Sequence, residues 1–509
     1  MLLSFVLILE DKSKESIELT HIEGTTALLV AFINDHKKNY DMVKLLIDSG
    51  ANTSAVDNSE ESAMHYASWN GRLEVVKLLS EVMGQDAFTL QNYAGRTPLA
   101  LASHNGHLDV ARLCVEFGGQ ASIELTDNDG RTALLSAIWI NNENNYDSIK
   151  LLIDSGADTN VLDNDGYSAM HHASMTGRSE VIKLLYKVMG QGAFSLQTHN
   201  RGRTPLSLAI VCQHYDVARL CVEFGSQASI SIADNDGVTA LHHASREDDY
   251  DVVKLLIDSG ANVNDVANDG KSAMHEAAHF KQLEVIKVLA ERIGPGAFDL
   301  RDNHGTTPFL YASMAGAIDI VKFGVEFGTQ ALNIADDDRR TPLSYFTFKD
   351  EDEDVNIGDV EFLLDSGANV DVSDEDGFTP LMFAVSHGKV DLVKVLIGSG
   401  ANVCMACNVQ GWKPIHFACI RVRNTTNQVE ILQLLIEAGG DIAATNSVDK
   451  TPLHLASAEG YIEIVRAILQ VEEAKPTLYV LDGENQTPLD LAGHNGPKEI
   501  ATLLELAMS

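Results

Sequence analysis

Residues 449–469 read DKTPLHLASAEGYIEIVRAIL, and their apolar positions fall into two helical stripes parted by a glycine. Thr451 can cap a short helix with its hydroxyl, and Pro452 suits the first helical turn, where a missing N–H costs nothing. Leu453 and Ala456 share one face at helical spacing, and Ala456 is small enough for a neighbouring helix to come close. Gly460 ends this helix, because the left-handed conformation is cheapest for glycine. Ile464, Val465, Ile468 and Leu469 then form the buried stripe of a second helix. Two helices of this length cannot bury their apolar faces against each other alone. They need copies of themselves on either side.

The copies are present. The opening Thr or Ser recurs at Thr26, Ser62, Thr97, Thr132, Ser168, Thr204, Thr239, Ser272, Thr307, Thr341, Thr379, Thr451 and Thr487, with Lys413 in the equivalent place. That makes about 14 units with a period of roughly 33–38 residues. On the motifs TPLHLA (451–456), GRTPLALA (95–102) and LLIDSGANV (255–263), the chain resembles ankyrin-repeat proteins, and the resemblance runs from about residue 16 to residue 507. It implies an all-α solenoid of helix-turn-helix units joined by short β-hairpin loops.

A larger period overlies the small one. SAMHYAS (62–68), SAMHHAS (168–174) and SAMHEAA (272–278) recur about every 105 residues, as does KLLIDSGA from Lys44, Lys150 and Lys254. The expected organisation is a partial repeat or cap over 1–21, three-repeat cassettes over 22–128, 129–234 and 235–336, and repeats 10–14 with a C-terminal cap over 337–509. Residues 16–29 align with 122–135, so the chain starts inside a repeat. Either a half-repeat serves as the cap or a longer protein lies upstream. Two junctions are lengthened: the acidic 349–354 (KDEDED), read as a solvated loop or else a docking loop for basic peptides, and the basic, polar 420–428. In the last unit Lys498, Glu499, Thr502 and Glu505 can supply the polar face that a terminal cap requires.

Composition narrows the function classes. A hydrophobic content of 45% excludes a disordered chain, and a net charge of −36 argues against nucleic acids and anionic membranes as main partners. Much of this acidity has a local role in DNDG turns at Asp127, Asp163 and Asp234, where Asp and Asn bond nearby backbone and Gly takes positive φ. The six cysteines form no disulfide framework; Cys114 and Cys221 hold one place in two copies and read as core residues. A reducing intracellular compartment follows, the cytoplasm ahead of the nucleus, with a monomer as the expected state. The apolar run within 1–14 is too short to span a bilayer and lacks the flanks of a signal peptide, so no membrane insertion is expected.

Catalytic motifs are absent from the sequence. His65, His171, His242, His275, His416 and His454 recur at the fourth motif position, where the resemblance implies a structural role. Cys404, Cys407, His416 and Cys419 have zinc-like spacing, but each has a repeat explanation. The reading is a non-enzymatic protein with no cofactor and no metal. The resemblance implies that partners meet the residue before the motif Thr and the pair ending the first helix, on the concave side. These rows collect apolar, aromatic and cationic residues of the kind that anchor interfaces: Trp69, Trp139, Met175, Val211, Met314 and Phe348 in one, Arg131, Tyr167, Arg203, Phe378 and Trp412 in the other. The expected function is a scaffold or adaptor that binds a protein partner in this groove. The other reading is the targeting array of a larger effector.

Overall fold

The computed structural model describes residues 24–33, 39–140, 142–247, 249–348, 355–420, 424–495 and 497–509. The cap assigned to 1–21 and the acidic junction 349–354 lie outside the described residues, as do residues 421–423 of the second junction. Among the described residues the chain folds into fourteen consecutive helix pairs. It forms two compact units, one of residues 1–244 and 249–262 and the other of residues 245–248 and 263–509.

Local chemistry sets each first helix. In Pro452–Glu459 the Thr451 hydroxyl accepts the His454 N–H, proline occupies the first turn, and Gly460 closes the helix at φ 82°. The same cap opens Ala63–Trp69, Ala133–Trp139 and Ala169–Met175. Leu453 and Ala456 are fully buried, as are Ile464, Val465 and Ile468 of the second helix, Ile462–Leu469. Leu469, expected in that stripe, is only half-buried because it ends the helix. At the C-terminus Ile500 and Leu504 face inward while Lys498, Glu499, Thr502 and Glu505 are exposed.

The loops between pairs are turns closed by one cross-loop bond, such as Asp127 N–H to Arg131 O at 2.9 Å. They do not extend into ladders; the described residues hold two isolated antiparallel bridges, Val56 with Ser62 and Val266 with Ser272. Neighbouring loop tips are tied together. Asn164 N–H donates to Asp129 O and its side-chain amide to Asn128 O, both at 2.9 Å, and Asn128 does the same to Ala94 O and Tyr93 O. Each Asn therefore lies directly against the glycine of the preceding tip.

Motif histidines stitch the repeats from inside. His171 Nδ1 accepts the Ser168 N–H at 3.1 Å, which fixes the proton on Nε2, and Nε2 donates to Leu196 O at 3.1 Å. Burial then holds the His171 pKa down at about 4. His416 is held the same way between Lys413 N–H and Ala444 O. Both of its nitrogens are thereby committed, while Cys404 Sγ faces Gly439 O and Cys407 Sγ faces Val409 O.

Candidate functional site

In some loops the first aspartate works with both oxygens. Asp163 Oδ1 accepts the backbone N–H groups of Asp165 and Tyr167, while Oδ2 takes the Nε2–H of His172 at 2.8 Å. The partner of Oδ2 stands nine residues after the aspartate, and in three other loops it is a tyrosine. Tyr66 bonds Asp57, Tyr311 bonds Asp302 and Tyr345 bonds Asp336, at 2.6 to 2.8 Å. Burial alone would raise the pKa of Asp163. The bonds from His172 and the Tyr167 N–H, with the Arg131 charge, outweigh it and hold the carboxyl below its usual range.

Three predicted site residues of the first unit gather around this pair. The Arg131 guanidinium lies 4.4 Å from the Trp139 ring centroid, with Nη1 3.1 Å from Asp129 and Nε 3.8 Å from Asp163. Trp139 meets His172 edge-on at 5.2 Å, and Tyr167 stacks on the same imidazole at 5.5 Å. Trp69 lies apart from this cluster. It packs on His104 of the next first helix at 5.6 Å, and its carbonyl accepts from His107 Nε2 at 2.9 Å. Packed under Trp69, His104 is buried although its place in the row suggests exposure. Trp69 and Trp139 are 42% and 41% exposed. Met175, Val211 and Arg203 are half-buried, and among the described residues no ring or ion contact joins them to the cluster.

In the second unit Met314 is exposed, and the aromatic residues form a chain of their own. Phe348 stacks on Phe383 at 3.7 Å, Phe378 contacts Phe383 at 6.2 Å and Phe417 at 5.3 Å, and Trp412 contacts Phe417 at 5.3 Å. Within the first unit Arg131, Trp139 and Tyr167 gather at His172 apart from Trp69, and within the second Phe348, Phe378 and Trp412 join one aromatic chain. His172, Phe383 and Phe417, which help to brace them, were missing from the sequence expectation, whereas His104 stands in the same row as Trp69. The signal was available: His172, Phe383 and Phe417 all stand four residues after the helix cap.

The family model described as "Ankyrin repeats (3 copies)" matches residues 3–89, 81–163, 138–231, 221–299, 351–446 and 422–507. This chain belongs to the ankyrin-repeat family. It is 30% identical over 207 residues to the "Ankyrin repeat protein nuc-2" of Neurospora crassa, across 40% of this chain and 18% of that protein. It is 27% identical over 510 residues to the human "Transient receptor potential cation channel subfamily A member 1", across 91% of this chain and 40% of the channel. Among solved structures it resembles the human ASB11 ankyrin repeat domain at 26% identity and a TM-score of 0.39, covering 46% of this chain and 99% of that domain. The chain spans 18 to 40% of the length of the curated relatives it matches. No helix of the described residues is long and apolar enough to cross a membrane.

Proposed function

We propose that the chain is a non-catalytic protein-binding scaffold. Its first unit engages a partner through Trp69, Trp139, Met175 and Val211, with Arg131, Tyr167 and Arg203 beside them. Met314, Phe348, Phe378 and Trp412 form a second partner-binding stretch in the other unit. One observation carries the reading. Trp69 and Trp139 keep two-fifths of their surface exposed while rings of the next repeat hold them in place. An aromatic anchor that is already rigid loses little side-chain entropy on binding. Exposed tryptophan beside arginine is also the composition of an interface hot spot. The non-catalytic part of the reading is supported by the motif histidines, whose ring nitrogens are engaged with backbone in His65, His171, His275, His416 and His454.

The test is a paired capture experiment read by mass spectrometry. One bait is the intact chain and the other carries Trp69→Ala, Trp139→Ala and Met175→Ala, with circular dichroism verifying its helices. A partner lost from the second bait supports the assignment, and equal capture by both removes it from the first unit. A second reading, in which this chain is the targeting array of a larger effector, is favoured by the greater length of its relatives. Transcript sequence upstream of Met1 tests it: an open frame supports that reading and an in-frame stop opposes it.

A further inference from the structure

In three loops, the cation before the helix cap pairs with an acid two residues earlier: Arg131 with Asp129 at 3.1 Å, Lys271 with Asp269 at 3.0 Å, and Arg340 with Asp338 at 3.8 Å. The fifth, seventh and eleventh repeats keep the acid and lose the cation (Asp165 before Tyr167, Asp236 before Val238, Asp376 before Phe378), and the eleventh differs in what surrounds its acid. The loop still closes in the same way, with Asp374 Oδ1 accepting the Phe378 N–H at 2.8 Å. Phe378 also takes over the cation's second contact. Lys271 Nζ sits 5.6 Å from the ring of Tyr311, four residues after the next cap, and Phe378 sits 5.3 Å from Phe417 at the same place in its neighbour. A ring–ring contact thus replaces a cation–ring contact, and the carboxylate loses its counter-charge. Glu375 and Asp376 are exposed, with no ion pair among the described residues.

The surroundings push the same way. Phe383 stands nine residues after Asp374, where tyrosine or histidine occupies the second carboxylate oxygen in other repeats, and it offers that oxygen no hydrogen bond. It stacks instead on Phe348 at 3.7 Å, with His387 on its ring at 5.3 Å. The described residues between 334 and 380 hold 10 acidic side chains against 2 basic ones. Half-exposed π faces beside unneutralised carboxylates attract a cation through both the ring quadrupole and its counter-charge. We propose that the tenth to twelfth repeats dock a lysine- or arginine-rich segment of a partner protein, whose cations restore in trans the charge that Phe378 displaces. This rests on the partner-binding reading of the same stretch and names the chemistry of what binds there.

Fluorescence anisotropy of the full chain with labelled peptides alternating leucine with lysine, glutamine or glutamate tests it. The lysine peptide should bind, more weakly as salt rises, and the other two should not. Glu375→Gln with Asp376→Asn, both at exposed positions, should weaken binding about tenfold. Phe378→Arg, which restores the loop's own cation, should weaken it at least as much. Glu81→Gln with Glu116→Gln removes the same charge from exposed helix positions of the first unit and should leave binding unchanged. An equal loss in that control would mean diffuse attraction to an acidic protein and overturn the proposal. Equal binding of the glutamine peptide would overturn the cationic chemistry while leaving a protein-binding surface. Binding of no peptide would overturn the surface itself.

Discussion

Gly130→Ala isolates what holds neighbouring loops together. Gly130 has φ +79°, and a Cβ there would stand 2.5 Å from Asn164 Oδ1 and 2.9 Å from Asn164 N, closer than packed atoms tolerate. Gly156, in the same repeat, has φ +88° and nothing within 4 Å of the corresponding position. Gly156→Ala therefore reports the backbone cost alone, about 1 kcal/mol for a left-handed alanine, partly offset by a stiffer unfolded chain. Gly130→Ala carries that cost and must also push Asn164 away. Asn164 then loses its bonds to Asp129 O and Asn128 O, each worth about 1 kcal/mol net. The expected total is roughly 3 kcal/mol, against about 1 kcal/mol for the control. Because repeat arrays are stabilised by nearest-neighbour interfaces, the loss should be local. Hydrogen exchange at the amides of Asn164 and Gly166 measures it, with urea denaturation giving the global value. Matching protection in the two variants would refute a structural role for the inter-loop bonds.

Acid should weaken the array through its buried imidazoles. His171 and His416 titrate near 4 when folded, chiefly because of burial, against 6.5 when unfolded, so the stability of the neutral rings is complete above pH 6.5 and is lost as the pH falls toward 4. The slope is about 1.4 kcal/mol per pH unit for each histidine; NMR titration showing either ring protonating near pH 6.5 would contradict it. Tyr311→Phe removes the bond to Asp302 Oδ2 and leaves a buried oxygen unpaired, an expected loss of about 1–2 kcal/mol that an unchanged thermal midpoint would disprove. Cys404 is exposed, whereas Cys114 and Cys221 are buried with thiols pushed up to about 12. An aromatic disulfide reagent should modify Cys404 rapidly and reach the other two only on unfolding; equal rates would show that these positions open readily.

The repeat itself was legible in the residues because its determinants are local. A Thr that caps, a Pro that tolerates the first turn and a Gly that accepts positive φ act within one helix. Thr451, Pro452 and Gly460 do in the fold what their chemistry implies. The in-phase recurrence of these residues defined the array, and spacing placed the buried stripe correctly except at Leu469, where the helix ends. The roles of His171 and His416 came only from the family resemblance, because their carbonyl partners lie 25 and 28 residues further on.

The surface required the folded chain. Whether Trp69 is a free anchor or a packed ring depends on His104, and for Trp139 on His172 and Arg131, each supplied by a different segment. Phe378 reads in sequence as one more aromatic residue before a cap. Only its position over Phe417, where Lys271 meets Tyr311 elsewhere, marks it as a replaced cation. Propensity and capping energies are spent within one unit, so the chain order displays them. Exposure and charge balance are sums over neighbouring repeats about 30 to 40 residues apart, and those sums exist only once the repeats are stacked.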